Sequence, residues 1–302
     1  MNAAASTAGN GRAVIVTGAS RGIGAASAIR LGGEGFRVYA GVRAERDADR
    51  ARHLGLIPLR LDLADVESID AAAHRVTAEL ADGKLYGLVN NAGIVLPAPL
   101  EHMRIADFRH QLEVGLTGQL AVTQAFLPLL RAARGRIVNI SSVSGRVASP
   151  FIGAYSAAKH GLEGLSDALR LELRPSGVHV CVVQPGAIAT DLPAVLMGAV
   201  EAAYAVLSPV ARQHYGEIFL RYGRALAANH ARHGSPPETV ARAVLAALTA
   251  RKPRTRYAVG AQAASVVAAS RLLPDRLLDR LLLHTLDRAA AGPSAEPSLD
   301  QR

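Results

Sequence analysis

Three side chains between residues 141 and 160 have the types and the spacing that proton transfer needs. Tyr155 and Lys159 stand four residues apart, so a helix would place them on one face, about 5–6 Å from each other. An ammonium group at that distance favours the phenolate and lowers the pKa of a phenol from its usual value of about 10. Ser142 ends an apolar segment, and its hydroxyl could bind the same substrate oxygen. The trio predicts proton exchange between a hydroxyl and a carbonyl group, with Tyr155 as acid or base.

A tyrosine and a lysine at helical spacing usually form an ordinary solvated face, so the elements around them must decide. The first such element is a glycine-rich loop, residues 17–24, between a short apolar strand at Ala13–Val16 and a helix that runs through Leu31. Glycines let the backbone approach a pyrophosphate closely, and the helix N-terminus offers it free N–H groups. A plain glycine turn is the alternative, but the flanking strand and helix favour a dinucleotide-binding loop.

The end of the second predicted strand bears on the choice between the two nicotinamide dinucleotides. An acid there would bind the adenosine ribose 2′-hydroxyl and select NAD. The sequence has Val42 at that place, followed by Arg43, and Arg21 lies in the glycine loop. Two guanidinium groups suit a 2′-phosphate. The pattern therefore favours NADP(H), with NAD(H) as the alternative if Arg43 points into solvent.

Strands and helices alternate along the chain, and the strands are apolar throughout rather than at every second residue. That pattern is typical of a parallel sheet covered by helices on both faces. We therefore predict an α/β fold, a doubly wound parallel sheet (Rossmann fold) of about seven strands, with ligands at the carboxyl ends of the strands. The predicted strands are Ala13–Val16, Arg37–Val42, Leu56–Asp62, Leu85–Val89, Arg136–Ile140, Val178–Gln184 and Tyr257–Val259, and the clearest predicted helices are Val66–Ala81, Ile105–Ala133, Gly153–Arg174 and Pro236–Ala250.

Residues 11–288 are predicted to form a single domain. Within it, residues 192–234 break the strand–helix rhythm and are predicted to form a helical flap over the substrate, or else an extra packing pair of helices. Residues 261–288 are predicted to form a C-terminal helical extension, in which Leu272–Leu283 has the leucine and arginine pattern of an amphipathic helix. Such a helix could make peripheral contact with a membrane surface, or pack on its own domain or a sister subunit. Residues 1–10 and 289–302 are predicted to be disordered tails.

The composition excludes several classes of function. The formal net charge of +9 comes from scattered arginines, with no basic block interleaved with aromatic residues, so nucleic acid is not an expected partner. The single cysteine, Cys181, excludes an internal disulfide and a cysteine metal cluster, and no metal site is expected at the histidine pair His230 and His233. No apolar run reaches the roughly 18 residues of a transmembrane segment. The first residues lack the pattern of a signal peptide, which predicts a cytoplasmic protein.

Four motifs occur in one order along residues 13–190. They are the Thr-Gly-x-x-x-Gly-x-Gly loop at 17–24, Asn-Asn-Ala-Gly at 90–93, Ser142 thirteen residues before the Tyr155-x-x-x-Lys159 pair, and Pro-Gly at 185–186. With them the chain resembles the short-chain dehydrogenase/reductase family. The end pieces, with Arg-Thr-Arg-Tyr at 254–257 and Leu-Leu-Pro-Asp-Arg at 272–276, look like the branch that includes retinol and hydroxysteroid dehydrogenases.

The resemblance implies hydride transfer between C4 of a nicotinamide and a carbinol carbon. Tyr155 would be the general acid or base, Ser142 would hydrogen-bond the substrate oxygen, and Lys159 would bind the nicotinamide ribose. The substrate would be a bulky apolar secondary alcohol or ketone, and the protein a homodimer or homotetramer. By the same resemblance the cofactor contacts would be Gly18, Ser20, Arg21, Gly22, Ile23, Gly24, Arg43, Asp62, Leu63, Asn90, Ala92, Gly93, Tyr155, Lys159, Pro185, Gly186, Ile188 and Thr190.

One residue departs from the family pattern. The family has an Asn in a Val-Asn-Leu-x-Gly stretch of the long helix before the catalytic strand, where it helps to anchor a water that connects the lysine to solvent. This chain has Gly115 at that place. We expect the small glycine to leave room for an additional water held by backbone carbonyls, and hence an active enzyme. The alternative is a dinucleotide-binding sensor or scaffold with weak or no turnover.

Overall fold

Seven parallel strands form one sheet at the centre of the computed structural model, which describes residues 9–291. The side chains described exclude residues 192–193 and 285–291, and most of the two predicted tails lies outside the described residues. The strands are β1 (Ala13–Val16), β2 (Arg37–Val42), β3 (Ile57–Arg60), β4 (Gly87–Asn90), β5 (Arg136–Ile140), β6 (His179–Pro185) and β7 (Arg256–Val259). Their order across the sheet is β3-β2-β1-β4-β5-β6-β7.

Helices connect the strands and cover both faces of the sheet, as expected for parallel strands that are apolar on both sides. They are α1 (Gly22–Gly33), α2 (Glu45–His53), α3 (Val66–Glu79), α4 (Ile105–Leu112), α5 (Gly118–Ala133), α6 (Gly153–Glu172), α7 (Leu192–Ala205), α8 (Pro209–Ala211), α9 (Glu217–His233), α10 (Pro237–Thr249), α11 (Ala263–Leu272) and α12 (Asp275–Ala291).

The side chains of β1 show how the sheet divides the core. Ile15 packs into a cluster with Phe126 of α5 on one face, whereas Val14 packs with Leu248 of α10 on the other. The chain order reverses between β1 and β4, which lie side by side although β2 and β3 come between them in sequence. In open parallel sheets that reversal opens a crevice at the carboxyl ends of the strands, where ligands bind.

The predicted α/β fold and its seven strands are confirmed, with two differences in the helices. The predicted helix 105–133 is α4 and α5 joined by a five-residue π-helical turn at Glu113–Thr117. The predicted helix 272–283 is wrong in its start, because α11 ends at Leu272 and α12 begins only at Asp275. Pro274 lies between them, and a proline disfavours helical backbone in the residue before it.

The predicted flap, residues 192–234, is helical and consists of α7, α8, a second π-helical turn at Arg212–Gly216, and α9. Its helices enclose a small core of their own, in which Leu196, Val200 and Phe219 are buried. The C-terminal helix α12 lies against α9. None of the described helices combines the length and the apolar composition needed to cross a membrane.

Candidate active site

The predicted catalytic residues meet where β5 ends and α6 begins. Ser142 follows β5 in extended conformation and caps a short 3₁₀ turn, Val143–Gly145, where its hydroxyl accepts a hydrogen bond from the Ser144 N–H at 3.1 Å. The Ser142 side chain also interacts with Tyr155, in the first turn of α6, and opposes the rise that burial causes in the pKa of its phenol. The turn therefore fixes Ser142 beside Tyr155.

Lys159 lies one turn further along α6 and is only 4% exposed. Its Nζ donates a hydrogen bond to the carbonyl of Ile140 at 2.7 Å and lies 5.7 Å from the centroid of the Tyr155 ring. Burial lowers the pKa of Lys159 from 10.5 to about 8, against the opposing effect of the Glu163 carboxylate. An amine that titrates this close to neutral pH can relay a proton as well as carry a charge.

The pKa of Tyr155 is raised, whereas that of Lys159 is lowered. Burial raises the pKa of Tyr155 above its usual 10, and the hydrogen bond from Ser142 opposes that rise. The expectation that Lys159 sets a low pKa for Tyr155 is therefore corrected: in this structure the lysine ammonium faces the Ile140 carbonyl, and the lowering effect comes from Ser142. A phenol with a raised pKa is protonated at neutral pH, as a proton donor to a carbonyl oxygen must be.

A groove of about 600 Å³ crosses the carboxyl ends of β1, β2 and β4, a size usual for ligand pockets. Its inner end adjoins the catalytic residues, since a Cβ on Gly93 would lie 3.9 Å from Nζ of Lys159. The predicted cofactor contacts that line the groove are Gly18, Ser20, Arg21, Gly22, Ile23, Gly24, Arg43, Asp62, Leu63, Ala92, Gly93 and Thr190.

The glycine loop packs so closely on the protein that two of its positions accept only glycine. Gly18 has a φ of +64°, and a Cβ on it would come within 2.8 Å of the Ala92 Cα. A Cβ on Gly24 would collide with the Gly18 carbonyl. Thr17 holds the loop to the end of β4, because its Oγ1 accepts hydrogen bonds from the amides of Asn91 and Ala92, both at 2.9 Å. A loop fixed in this way at the start of α1 suits the pyrophosphate of a dinucleotide, which free N–H groups at a helix N-terminus can bind.

Asn90, a predicted cofactor contact, is not among the residues that line the groove. It is 1% exposed, and its side-chain amide donates to the Thr123 hydroxyl at 3.0 Å and to the Asn139 side chain at 2.9 Å. Those bonds tie β4 to α5 and β5 inside the core. The neighbouring Asn91 lines the groove in its place and donates to the carbonyl of Thr17 at 2.9 Å.

The segment after β6 contributes less side-chain lining than expected. Of the four predicted contacts there, only Thr190 lines the groove, while Pro185, Gly186 and Ile188 do not. Pro185 and Ile188 are buried. Ser235 bridges to Ile188 through hydrogen bonds to the residues on either side of it. Because the Ile188 side chain is buried, a cofactor contact from this residue would have to come from its backbone. The two bonds to Ser235 involve Ala187 and Ala189 and do not use the N–H or C=O of Ile188.

An aromatic cluster joins the loop before α6 to the flap. Phe151, four residues before Tyr155, has a φ of +61°, which is rare for a bulky residue. Its ring contacts three rings of the flap, with centroid distances of 6.3 Å to Tyr215, 5.3 Å to Phe219 and 5.4 Å to Tyr222. The loop that leads into α6 is thereby joined to the flap by aromatic packing, four residues before Tyr155.

A family profile described as short chain dehydrogenase matches residues 12–218, the part of the chain that carries the groove and the three catalytic side chains. The chain belongs to the short-chain dehydrogenase family. It is therefore an oxidoreductase, and its relatives place it close to the retinol dehydrogenase branch.

This short-chain dehydrogenase is 36% identical to retinol dehydrogenase 5 of Mus musculus over 289 residues, which cover 93% of the chain and 91% of the relative. It is 46% identical to 3-amino-tetrahydro-pyrrolizinone reductase of Xenorhabdus hominickii over 181 residues, which span 60% of the chain and 63% of that relative's length. A crystal structure of a short-chain dehydrogenase from Burkholderia cenocepacia in complex with NADP superposes with a TM-score of 0.68 at 29% identity, covering 90% of this chain and 98% of that one.

Two further arginines of this short-chain dehydrogenase line the groove and were missed from the sequence. Arg46 and Arg50 lie one turn apart on α2, beside Arg43, and Asp47 lies between them. The signal was present, because residues four apart share a helix face and α2 begins directly after β2.

The expectation of a widened space beside Gly115 is wrong. A Cβ on Gly115 would lie 2.9 Å from Cβ of Ala158 and 3.5 Å from Nε2 of Gln111, so α6 already fills the place where the family asparagine would point. Gly115 sits in the π-helical turn, and its lack of a side chain lets that turn pack closely against α6. Gln111, one turn earlier, ties the helix to the loop after β4 by donating to the Ile94 carbonyl at 2.9 Å.

Proposed function

We propose that this short-chain dehydrogenase transfers a hydride between NADP(H) and a bulky apolar secondary alcohol or ketone. The observation that carries the proposal is the groove itself, which has arginines at its outer end and Gly93 beside Lys159 at its inner end. The nicotinamide cofactor, when bound, gives or accepts the hydride. Cofactor binding, proton transfer and substrate contact are left to the protein's own side chains.

The outer end of the groove supports NADP(H). The exposed arginines that line it are Arg21, Arg43, Arg46 and Arg50. Guanidinium groups suit a phosphate better than a ribose hydroxyl. Val42 occupies the position where an acid would select NAD. NAD(H) is the second candidate, because the Asp47 carboxylate shares the same lining and could accept from a ribose hydroxyl.

The inner end supports proton transfer at the substrate oxygen. In the direction of reduction, the protonated Tyr155 gives its proton to the carbonyl oxygen while Ser142 hydrogen-bonds the same atom. Lys159 titrates near neutral pH and can restore the proton of Tyr155. In the direction of oxidation the same groups act in reverse, with Tyr155 as the base.

The flap supports an apolar substrate of some size. The half-buried Val95, Phe151 and Leu207 pack on the buried core of the flap and form an apolar wall. Burial of apolar substrate surface against such a wall contributes about 25 cal/mol per Å². The similarity to retinol dehydrogenase 5 along almost the whole chain agrees with an apolar alcohol or its carbonyl counterpart.

A cofactor-binding sensor with little turnover is the competing function, and Gly115 in place of the family asparagine is what favours it. The neighbouring Ser142, Tyr155 and Lys159 favour the enzyme, because a sensor has no chemical use for all three.

Cofactor titration followed by a panel of ketones separates the two functions. We expect NADPH to bind more tightly than NADH, and bulky apolar ketones to be reduced faster than small polar ones, with the absorbance of the reduced nicotinamide as the readout. Tight binding of NADPH without turnover across the whole panel would support the sensor instead.

A further inference from the structure

Glu163 is a buried carboxylate one helical turn beyond Lys159, with a side chain only 5% exposed. Tyr155, Lys159, Glu163 and Asp167 follow one another at intervals of four residues, so they form one stripe along α6. The first two carry out the proton transfer proposed above. Glu163 extends the same stripe directly behind them.

Three donors from three other elements meet at the Glu163 carboxylate. Arg146, just past the Ser142 turn, donates to Oε2 at 2.8 Å, and Arg256 of β7 donates to the same oxygen at 2.9 Å. Gln184 of β6 donates to Oε1 at 2.8 Å. One carboxylate therefore fastens the Ser142 segment, β6 and β7 to the catalytic helix.

The charges around Lys159 can be followed element by element. Its own helix presents Tyr155 on one side and Glu163 on the other. β5 presents the Ile140 carbonyl, and the loop after β4 presents the backbone of Gly93. The two guanidinium groups reach the lysine only across Glu163, which they hydrogen-bond. Burial disfavours the ammonium form, so the nearby carboxylate is what favours it.

We propose that Glu163 is a positioning residue, whose carboxylate holds the Ser142 turn against α6 and keeps Lys159 charged beside Tyr155. The inference rests on the function proposed for this site. A carboxylate that serves only to tie elements together would stabilise the fold equally well, so the test needs a readout that reports the charge of Lys159.

The composition of the chain offers such a readout. Lysine occurs at positions 84, 159 and 252 only, and the other two are exposed. In the full chain labelled with ¹³Cε-lysine, three NMR signals can be titrated with pH, and the Lys159 signal should titrate at about 8. Its assignment comes from its loss in Lys159→Met.

Two substitutions should move that midpoint in opposite directions. Glu163→Gln keeps the shape and removes the charge, so the Lys159 midpoint should fall by about one pH unit, as expected for the loss of an opposite charge one turn away. Arg256→Met removes a cation that partly neutralises Glu163, so the midpoint should rise. In Arg256→Met the carboxylate keeps Arg146 and Gln184 as donors, and Asp167 keeps Arg170.

Asp167→Asn is the matched control. Asp167 shares Arg256 with Glu163, at 2.7 Å, but lies two turns from Lys159 instead of one. Its substitution should leave the Lys159 midpoint where it is. An unchanged midpoint in Glu163→Gln, or a shift of Glu163→Gln and Arg256→Met in the same direction, would overturn the proposal. If Glu163→Gln does not fold, the rise expected in Arg256→Met decides alone.

The kinetic counterpart is the pH profile of kcat. As the pH is raised, the kcat of Glu163→Gln should fall at a lower pH than the kcat of the parent, because Lys159 loses its proton at a lower pH. KM should change little. The NMR titration needs no substrate. A parent without turnover would therefore count against the proposed function, and the titration would still decide the role of Glu163.

Discussion

The replacement of Lys159 by methionine should stabilise the protein at neutral pH while it removes activity. The folded protein holds an ammonium group that is 4% exposed, with a pKa lowered from 10.5 to about 8. Keeping that group charged at pH 7 costs about 3 kcal/mol relative to the unfolded chain. Methionine is of similar length and carries no charge. Its substitution leaves the Ile140 carbonyl without its 2.7 Å donor, which costs about 1–3 kcal/mol.

The net gain expected at pH 7 is therefore about 1 kcal/mol, or a rise in Tm of a few degrees for a chain of this size. The stability difference between the parent and Lys159→Met should change sign with pH. Below about pH 8 both states of the parent hold the lysine proton, and the cost is present in full. Between about 8 and 10.5 the unfolded chain holds more protons than the folded one, so the parent becomes more stable as the pH rises. At pH 10 the variant should be the less stable of the two.

Urea unfolding of both proteins at pH 7 and pH 10 measures this reversal of their relative stability. Lys84→Met is the control, since Lys84 is exposed and its substitution should change stability equally at both pH values. A Lys159→Met variant that is less stable than the parent by the same amount at both pH values would refute the reasoning, because the lysine would then not be held against its preferred state.

Three further predictions concern the remaining parts of the site. Tyr155→Phe should reduce turnover by roughly 10²–10⁴ with cofactor binding nearly intact; stopped-flow kinetics and cofactor titration measure both, and activity close to that of the parent would remove Tyr155 from the mechanism. Arg46→Ala should weaken NADPH binding more than about tenfold relative to NADH, because a charge-assisted contact contributes about 1.5–3 kcal/mol; calorimetry with both cofactors tests it, and an equal loss for the two would contradict a 2′-phosphate contact. Gly115→Asn should lower stability by about 1–3 kcal/mol, because its Cβ meets Ala158; a variant with unchanged Tm and raised turnover would favour the sensor.

Features that depend on neighbours in sequence could be predicted. The strand ends, the glycine loop and the four-residue spacing of Tyr155 and Lys159 are local patterns, and the structure brings Ser142 to Tyr155 as the spacing implies. The arginines of α2 belong to the same class, since Arg46 and Arg50 stand four residues apart shortly after β2.

Features that depend on packing could not be predicted. Asn90 and Asn91 are adjacent and identical, and only the direction in which β4 ends decides which one faces the groove. The space beside Gly115 depends on how closely α6 approaches, which is set by the whole sheet. The pKa values of Tyr155 and Lys159 follow from burial, and the partners of Glu163 come from segments far apart in the chain.

The most direct test of the proposed function follows the hydride itself. NADPH deuterated at C4 on the transferred face, mixed with the parent protein and the best ketone of the panel, should give an alcohol with one deuterium on the carbinol carbon, as measured by mass spectrometry. Tyr155→Phe under the same conditions should give far less labelled alcohol at equal cofactor occupancy. A parent that binds NADPH and releases no deuterated alcohol from any ketone, with either face labelled, would contradict the account.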